Sequence, residues 1–365
     1  MYSRKPPRAR IYWILIVLAL SGLMWLWWDS GTRLGRKARS GVSGKTAQSN
    51  TGGLRPAAAA HRTRTAMETA EIEEASGGPC PRPVQTMFEA QVVLDRQGIS
   101  PGSIDGRLGP QTRLAILAFQ RKENLPGTGE LDLDTKLRLI LTAPPLGSYT
   151  VASNDLARLQ PLGKTWLAKS QQTALEYESI LELVAEKSHA HPALIRRLNP
   201  DVDWTNVVTG TVLWVPDAGS AAAPAKAAFA SISLSEKILE IFDASTNLLG
   251  HFPCSIAQRV EKRPVGELHV EVIAPNPNYT FDPDVFPESD EARQLQAKLV
   301  LPPGPNNPVG TVWIGLDKPG YGIHGTPNPE LVGRTESHGC FRLANWNAEL
   351  LLKLVWIGMP VYVEP

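Results

Sequence analysis

A cysteine and two histidines near the C-terminus have the residue types and the spacing for covalent catalysis. Cys340 closes the run Ser337-His-Gly-Cys340, and His324 lies upstream in Ile323-His-Gly-Thr326. A thiol with a pKa of ~8.5 is mostly protonated at neutral pH, so it needs a base or a positive neighbour to become a nucleophile. Either His324 or His338 can be that base, a role suited to a pKa near neutrality. The cluster predicts a thiolate nucleophile.

Two neighbours of Cys340 fit the same chemistry. Gly339 has no side chain, so backbone N–H groups can approach a developing oxyanion beside the nucleophile. Arg342 can hold an anionic group of a substrate. Together these residues favour acyl transfer.

Two other roles for Cys340 stay open at this point. It could be a small buried hydrophobe, which is the role expected for Cys254, whereas Cys80 is expected to be an exposed and inert thiol. It could also join His324 and His338 as a ligand of zinc. The sequence has no HExxH pair, and His338 and Cys340 are very close together in the chain, so no metal and no other cofactor is predicted.

The residues around this cluster are typical of a mostly β domain. Leu268, Val270 and Val272 alternate with polar residues, as half-buried strands of an antiparallel sheet do. Apolar runs predict further strands at 232–234, 238–242, 312–316 and 360–363, and a helix at 347–356. The predicted domain spans residues 229–365.

Several motifs of this domain resemble the L,D-transpeptidase catalytic domain of bacterial peptidoglycan cross-linking enzymes. They are His324-Gly-Thr326, Ser337-His-Gly-Cys-Phe-Arg-Leu343 with Asn345, Leu301-Pro-Pro-Gly-Pro-Asn-Asn-Pro-Val-Gly310, Trp313-Ile-Gly315 and Gly320-Tyr-Gly-Ile-His324. The sequence departs from the family at Arg263-Pro-Val-Gly266, where a Thr-Pro-x-Gly turn is usual, and at Asn347, where Asp is common. Neither departure touches the expected chemistry.

The resemblance implies a role for each candidate residue. Cys340 would be the nucleophile, and His324 or His338 the base, with His324 favoured. A backbone carbonyl beside the base would fall on Gly325. Other implied roles are an oxyanion hole at Gly339 and Cys340, recognition of a carboxylate-rich diaminopimelate stem by Arg342, and substrate binding by Ser337 and Tyr321.

The implied reaction has two steps. The Cys340 thiolate attacks the L-centre carbonyl of a tetrapeptide stem and releases D-Ala, and an amine of a second stem then takes the thioacyl group. Carbapenems acylate the cysteine of this family, so Cys340 is an expected covalent target. Two alternatives stay open: an L,D-carboxypeptidase that uses water as the acceptor, and a non-catalytic wall-binding anchor.

Length and charge limit what else the chain can do. At 365 residues it is expected to hold two to three domains of roughly 150 residues each. Its 37 Lys and Arg nearly balance its 36 Asp and Glu, for a net charge of +1, whereas a nucleic-acid partner favours a basic excess. No nucleic-acid partner is predicted.

Residues 1–28 are predicted to form a cytoplasmic tail and a transmembrane anchor. Residues 11–28 carry no charge and would span about 27 Å as a helix, enough for a bilayer core. A cleaved signal peptide is the alternative, but Trp-Leu-Trp-Trp-Asp29 is not a small-residue cleavage site. Because peptidoglycan lies outside the inner membrane, a single-pass inner-membrane protein with a periplasmic catalytic domain is expected.

Two small modules are predicted between the anchor and the catalytic domain. Residues 84–142 resemble the peptidoglycan-binding three-helix module through Pro101-Gly-Ser-Ile-Asp-Gly-Arg-Leu-Gly-Pro-Gln-Thr112, Ala115-Ile-Leu-Ala-Phe-Gln120 and Thr128-Gly-Glu-Leu-Asp132. Residues 148–216 have the strand, helix, helix, strand order of an α+β LysM-like glycan-binding segment, with a long insertion at 152–178. Flexible linkers are expected at 29–83 and 217–228. The expected partners are peptidoglycan stem peptides, glycan strands and the membrane.

Overall fold

The computed structural model describes residues 78–219, 226–285, 290–295, 297–334 and 339–365. The predicted membrane anchor lies outside the described residues, as do most of the first linker and the pair Ser337 and His338. No helix in the described ranges combines the length and the apolar character needed to cross a bilayer.

The first described module is a three-helix unit closed by a two-stranded sheet. Its elements are β1 (Arg82–Pro83), α1 (Met87–Arg96), α2 (Pro110–Lys122), α3 (Leu133–Arg138) and β2 (Ile140–Leu141). Thr86 and Glu89 form a capping box at the start of α1, which satisfies backbone N–H groups that the helix cannot. Phe119 and Leu94 are fully buried in its core.

Two boundaries of this module differ from the sequence expectation. The first linker was expected to run to residue 83, but β1 pairs antiparallel with β2, and Arg82 forms an ion pair of 2.5 Å with buried Glu89. For the third helix, the sequence predicts residues 134–141 with Asp134 as the N-cap. Asp132 is the N-cap instead, and the helix ends at Arg138 because residues 140–141 pair with β1.

The middle segment has the predicted order of strands and helices, with the insertion folded as two extra short helices. Its elements are β3 (Leu146–Thr150), α4 (Ser153–Arg158), α5 (Trp166–Ser170), α6 (Ile180–Lys187), α7 (Pro192–Leu198) and β4 (Val212–Pro216). Strands β3 and β4 pair antiparallel from Leu146↔Pro216 to Thr150↔Val212. Phe88 and Val92 of α1 belong to the same apolar core as α6 and α7, so the first two modules share a core.

The C-terminal domain is built on an eight-stranded sheet. Its elements are β5 (Phe229–Ser233), β6 (Ile238–Phe242), β7 (Leu248–Pro253), β8 (Gly266–Pro275), β9 (Tyr279–Phe281), α8 (Asp290–Gln294), β10 (Leu299–Leu301), β11 (Val312–Leu316), β12 (Gly322–His324), β13 (Phe341–Arg342), α9 (Asn345–Leu354) and β14 (Pro360–Glu364). The strand order is β13-β12-β11-β8-β14-β5-β6-β7, and β9 and β10 form a separate hairpin.

The sequence predicts an antiparallel sheet, and two pairs of neighbouring strands differ from this prediction. Strand β14 pairs parallel with β5, and β13 pairs parallel with β12. Strands β5 and β14 lie at the two ends of the domain sequence, so the chain between them is long enough for the crossover that a parallel pair needs. Beyond β7, Ser255 forms an antiparallel bridge with Arg342, so the chain that leaves β7 contacts β13 at the opposite edge of the sheet.

The modules are joined by hydrogen bonds as well as by the chain. Ser100 N–H donates to the carbonyl of His251 in β7 at 2.8 Å, and His251 N–H donates to the carbonyl of Gly98 at 3.0 Å. At the ends of the second predicted linker, Asp217 forms an ion pair of 3.1 Å with Arg96, and Ala227 is buried. Residues 220–225 of that linker lie outside the described ranges.

Candidate active site

The parallel pairing of β12 and β13 brings the predicted nucleophile and one predicted base to the same edge of the sheet. The register pairs Ile323 with Phe341 and His324 with Arg342. Cys340 immediately precedes β13, and His324 ends β12. Two short segments that are distant in sequence therefore place both side chains in one cavity.

That cavity has a volume of about 680 Å³ and is wide enough for a small peptide. It is lined by Trp166, Lys262, Tyr279, Thr280, Val285, Pro308, Val309, Trp313, Gly320, Tyr321, His324, Gly339, Cys340 and Arg342. Five of the eight residues predicted for the site are among these, and Gly325 follows His324 directly. Ser337 and His338 lie outside the described residues.

His324 is oriented by the backbone carbonyl of the next residue. Its Nδ1 lies 2.6 Å from the oxygen of Gly325. A carbonyl oxygen can only accept a hydrogen bond, so Nδ1 carries the proton and donates, and Nε2 keeps a lone pair. On its other side the imidazole stacks on Trp313, its cross-strand partner, at a centroid distance of 5.8 Å. Nε2 is therefore available to accept a proton.

The charge state of His324 differs from the sequence expectation. A base with a pKa near neutrality was expected, but burial lowers the pKa of His324 to about 4. The Gly325 hydrogen bond raises this pKa and the positive charge of Arg342 lowers it, and desolvation is the larger effect. The imidazole is therefore neutral at pH 7.

Cys340 is partly exposed in the same cavity, and its Sγ lies 3.5 Å from the carbonyl oxygen of Gly320. Burial raises the pKa of its thiol, and the Gly322 backbone and the Arg342 charge offset this only in part. The cavity thus holds a neutral thiol and a neutral imidazole. These are the charge states that general-base activation of a thiol starts from.

The other two cysteines have environments unlike that of Cys340. Cys254 is fully buried, which raises the pKa of its thiol and agrees with the inert role expected for it. Cys80 is half-buried against the core of the first module, so the exposed position expected for it is wrong. In the parts of the chain that the structure describes, no group of three or more His, Cys, Asp or Glu side chains could hold a metal ion.

Two regions of the chain match known protein families. Residues 228–363 match the model of the L,D-transpeptidase catalytic domain, YkuD, and residues 85–139 match that of a candidate peptidoglycan binding domain. The first match covers nearly the whole C-terminal domain. The LysM-like assignment of residues 148–216 is not confirmed and stays a prediction.

Curated relatives resemble parts of the chain. The candidate L,D-transpeptidase YkuD of Bacillus licheniformis is 41% identical over 63 residues, which are 17% of this chain and 38% of that protein. The candidate L,D-transpeptidase YqjB of Bacillus subtilis is 34% identical over 105 residues, which are 27% of this chain and 51% of that protein. The chain thus spans about half or less of the length of these relatives.

Solved structures resemble the chain only weakly. L,D-transpeptidase 3 of Mycobacterium tuberculosis is 19% identical, with a TM-score of 0.30, over 44% of this chain and 77% of that chain. An L,D-transpeptidase of Xylanimonas cellulosilytica is 14% identical, with a TM-score of 0.33, over 79% of this chain and 100% of that chain.

Arg342 gives the transpeptidase domain a positive charge beside the nucleophile. Its backbone is fixed by two hydrogen bonds with Ser255, at 2.9 and 3.0 Å. Burial lowers the pKa of its guanidinium, and the Cys340 and Tyr279 side chains oppose this shift. A partly desolvated cation gains from an anionic ligand, and thus the cavity is suited to a substrate with a carboxylate.

Several residues of the cavity wall are not predicted from the sequence. Trp313 belongs to a motif that indicates no role for it, and strand pairing places it opposite His324. Trp166 comes from α5, inside the insertion of the middle segment, and stacks on Phe281 at 4.3 Å. No signal in the sequence connects that insertion with the transpeptidase domain, because the contact is between segments far apart in the chain.

Proposed function

We propose that this protein is a peptidoglycan L,D-transpeptidase in which Cys340 is the nucleophile and His324 the base. The observation that carries the proposal is the hydrogen bond from His324 Nδ1 to Gly325 at 2.6 Å, beside a cysteine in the same cavity. It fixes the tautomer that leaves Nε2 ready to accept the thiol proton.

The first step forms a thioester. Cys340 Sγ attacks the carbonyl at the L-centre of a tetrapeptide stem while its proton passes to His324 Nε2. The oxyanion is stabilised by backbone N–H groups at Gly339 and Cys340. The C–N bond to the terminal D-Ala then breaks, and the imidazolium returns the proton to the departing amine.

The second step transfers the acyl group. An amine of a second stem attacks the thioester carbonyl and gives up a proton to His324. The C–S bond then breaks, and the proton returns to the Cys340 sulfur. The product is a cross-link between two stems, and the enzyme is restored without any cofactor.

Three further residues are proposed to recognise the substrate. Arg342 pairs with a carboxylate of the stem, which its position in the cavity supports. Tyr321 also lines the cavity, with Lys318 Nζ 5.1 Å from the centre of its ring. Ser337 and His338 lie outside the described residues. Ser337 is proposed to bind the substrate, and His338 is proposed to form part of the pocket wall.

The assignment is tested by replacing the nucleophile. Cys340→Ala is expected to abolish dimer formation from purified tetrapeptide muropeptides and to prevent the mass adduct with a carbapenem, because no other group in the cavity can form the thioester. Cys80→Ala is the matched control and is expected to keep both activities. Undiminished dimers from Cys340→Ala would sink the proposal.

The same incubation separates the remaining alternatives. Released D-Ala with dimeric product supports transfer, whereas released D-Ala with only tripeptide product identifies an L,D-carboxypeptidase. A wild-type protein that binds peptidoglycan but forms neither product nor adduct would be the non-catalytic anchor. Mass spectrometry of one reaction reads all three outcomes.

Anchoring in the inner membrane and a periplasmic catalytic domain are part of the proposal. Support comes from the uncharged run at residues 11–28 and from the location of peptidoglycan. The first module and the LysM-like segment are proposed to bind the cell wall. A full-length protein that is found in the soluble fraction after lysis would contradict the anchor. Binding to the cell wall is tested separately, by measuring whether the protein pellets with purified sacculi.

A further inference from the structure

A carboxylate from the middle segment reaches into the catalytic domain. Glu186, on α6, accepts two hydrogen bonds from Asn345 Nδ2, at 3.1 Å to each of its oxygens. Tyr177 Oη donates to the same carboxylate at 3.0 Å. Asn345 begins α9 and is almost fully buried. The contact therefore joins two modules through one oriented side-chain pair.

The other end of Asn345 holds the backbone just after the catalytic base and just before the neighbouring strand β11. Its Oδ1 accepts hydrogen bonds from the N–H groups of Thr326, at 3.0 Å, and Thr311, at 3.2 Å. Thr326 directly follows Gly325, whose carbonyl receives the proton of His324 Nδ1. The direction of the Asn345 amide thus helps to fix the peptide unit that orients the imidazole.

The packing around this amide leaves it no alternative position. A Cβ on Gly310 would lie 2.0 Å from Asn345 Oδ1, and φ of Gly310 is +62°, so only glycine allows this approach. A flipped amide would place its NH₂ against two N–H donors and its oxygen against the Glu186 carboxylate. Asn345 Nδ2 also donates to the carbonyl of Pro305 at 3.3 Å, so Glu186 and this carbonyl together favour the orientation in which Oδ1 faces the loop.

Burying a carboxyl group costs free energy unless hydrogen bonds compensate for the water that it loses. Desolvation raises the pKa of Glu186 to about 7, although the hydrogen bonds from Asn345 and Tyr177 lower it. Helix α6 has a second carboxylate, Glu182, that accepts from Asn306 Nδ2 at 2.5 Å and also joins the modules. The Glu182 bond, however, does not contact the residues that flank His324, which makes it an internal comparison.

We propose that Glu186 is a positioning residue of the active site, which acts through Asn345 to hold the Gly325 carbonyl against His324. The inference rests on the proposed function only for its effect on turnover. The middle segment thereby completes the catalytic machinery of the domain that follows it, besides any contact with glycan.

The test exchanges donor and acceptor. Asn345→Asp places two carboxylates face to face and is expected to lower kcat on the order of tenfold to a hundredfold, with little change in KM. Adding Glu186→Gln turns the pair round, since the Gln amide donates to the Asp carboxylate, and is expected to restore most of the loss. Glu186→Ala, which keeps Asn345, is expected to lower kcat in the same direction.

A second readout does not depend on turnover. In ¹⁵N-histidine NMR of the full chain, His324 is expected to be the Nδ1–H tautomer in the wild type and to lose that preference in Asn345→Asp and Glu186→Ala, with recovery in the double variant. If the tautomer follows this pattern while the wild type forms no cross-links, the positioning role stands and the proposed function falls.

The matched control is the neighbouring pair. Asn306→Asp, alone and with Glu182→Gln, disturbs the same interface and is expected to lower the melting temperature without changing the His324 tautomer or kcat. The proposal is overturned if the Asn345 and Asn306 variants behave alike, or if the Glu186→Gln/Asn345→Asp double variant folds but does not recover. If Asn345→Asp does not fold, the Glu186→Ala variant decides the question. A normal His324 tautomer and a normal kcat in that variant would overturn the proposal.

Discussion

Cys340 and His324 line the same cavity and are both uncharged at neutral pH. Their charge states determine how the site responds to pH. Burial raises the pKa of the thiol and lowers that of the imidazole to about 4. An ion pair would need both shifts in the opposite direction. The proton is therefore expected to move only when a substrate carbonyl is attacked, and a substrate-free enzyme does not store a reactive thiolate.

Alkylation of the resting enzyme tests this charge state. The rate of Cys340 modification by iodoacetamide is expected to rise about tenfold per pH unit from pH 6 to 8 without a plateau, because only the minor thiolate reacts. Peptide mass spectrometry after timed quenching measures it, with Cys80 followed in the same samples. A rate that is flat across this range would reveal a preformed thiolate.

Stability should also depend on the buried imidazole. The folded pKa of His324 is about 4, below the 6.5 of the unfolded chain, so the unfolded state binds more protons between these values. The contribution is fully present above pH 6.5 and is lost as pH falls toward 4, with a size on the order of 3 kcal/mol. Urea unfolding of the wild type and His324→Gln from pH 4 to 7 measures it. Equal slopes for the two proteins would contradict the assignment.

At this scale the motifs predicted which residues meet but not their charge. Spacing and residue type were enough to identify Cys340, His324 and Arg342, because nucleophile, base and cation must lie close together. The pKa of His324 could not be predicted, since it depends on the Trp313 ring and on burial by strands that pair across the sheet.

At the scale of elements, a small separate core supports one wall of the cavity. Leu175, Phe281 and Leu301 are fully buried together, and Trp166 packs against them. Leu175 N–H also donates to the carbonyl of Pro303 at 2.9 Å. Helix α5 and its flanking chain thus support the β9–β10 hairpin beside the nucleophile.

Trp166→Ala should weaken substrate binding more than chemistry. Loss of the ring removes its stacking on Phe281 and part of the cavity wall, so KM for the tetrapeptide is expected to rise several-fold with kcat changed little. Steady-state kinetics measures this. Trp214→Ala, at an exposed position of β4 outside the cavity wall, is the matched control and should leave KM unchanged. Equal effects from both variants would exclude a role for Trp166 in the wall.

Local patterns predicted most elements but not their pairing. The runs that became β6, β11 and α7 could be predicted because apolar periodicity is a local property. The parallel partner of β13 lies far away in the sequence, and β13 has only two residues, too few to show a period. Pairing with β1 also ended α3 early, which no helix-stop residue indicated.

At the scale of the whole molecule, the described residues of the accessory modules and of the C-terminal domain pack as one unit. Asn347 Nδ2 donates to Ser100 Oγ at 3.0 Å, and Gln111 Nε2 donates to the carbonyl of Val332. The sequence predicts modules that are joined by flexible linkers. In the structure they pack against one another, because residues of their turns and motifs form contacts between them.

Gly304→Ala tests how strongly this packing stabilises the protein. A Cβ there would lie 2.2 Å from the carbonyl oxygen of Leu175, and φ is +144°. The variant is expected to lose about 1–3 kcal/mol of unfolding free energy, because one of the two modules must move. Gly210→Ala is the matched control, since φ is also positive but no atom lies within 4 Å. Equal losses in chemical denaturation would assign the effect to backbone strain alone.

The bonds between Gly98, Ser100 and β7 have a consequence for solubility. β7 is the last strand of the eight-stranded sheet, and an uncovered strand of this kind can add a strand from another molecule. Ser100 and Gly98 occupy hydrogen-bonding groups of His251 on that open side. The first module therefore covers part of this edge, and we expect it to hinder the pairing of β7 with a strand of another copy of the protein.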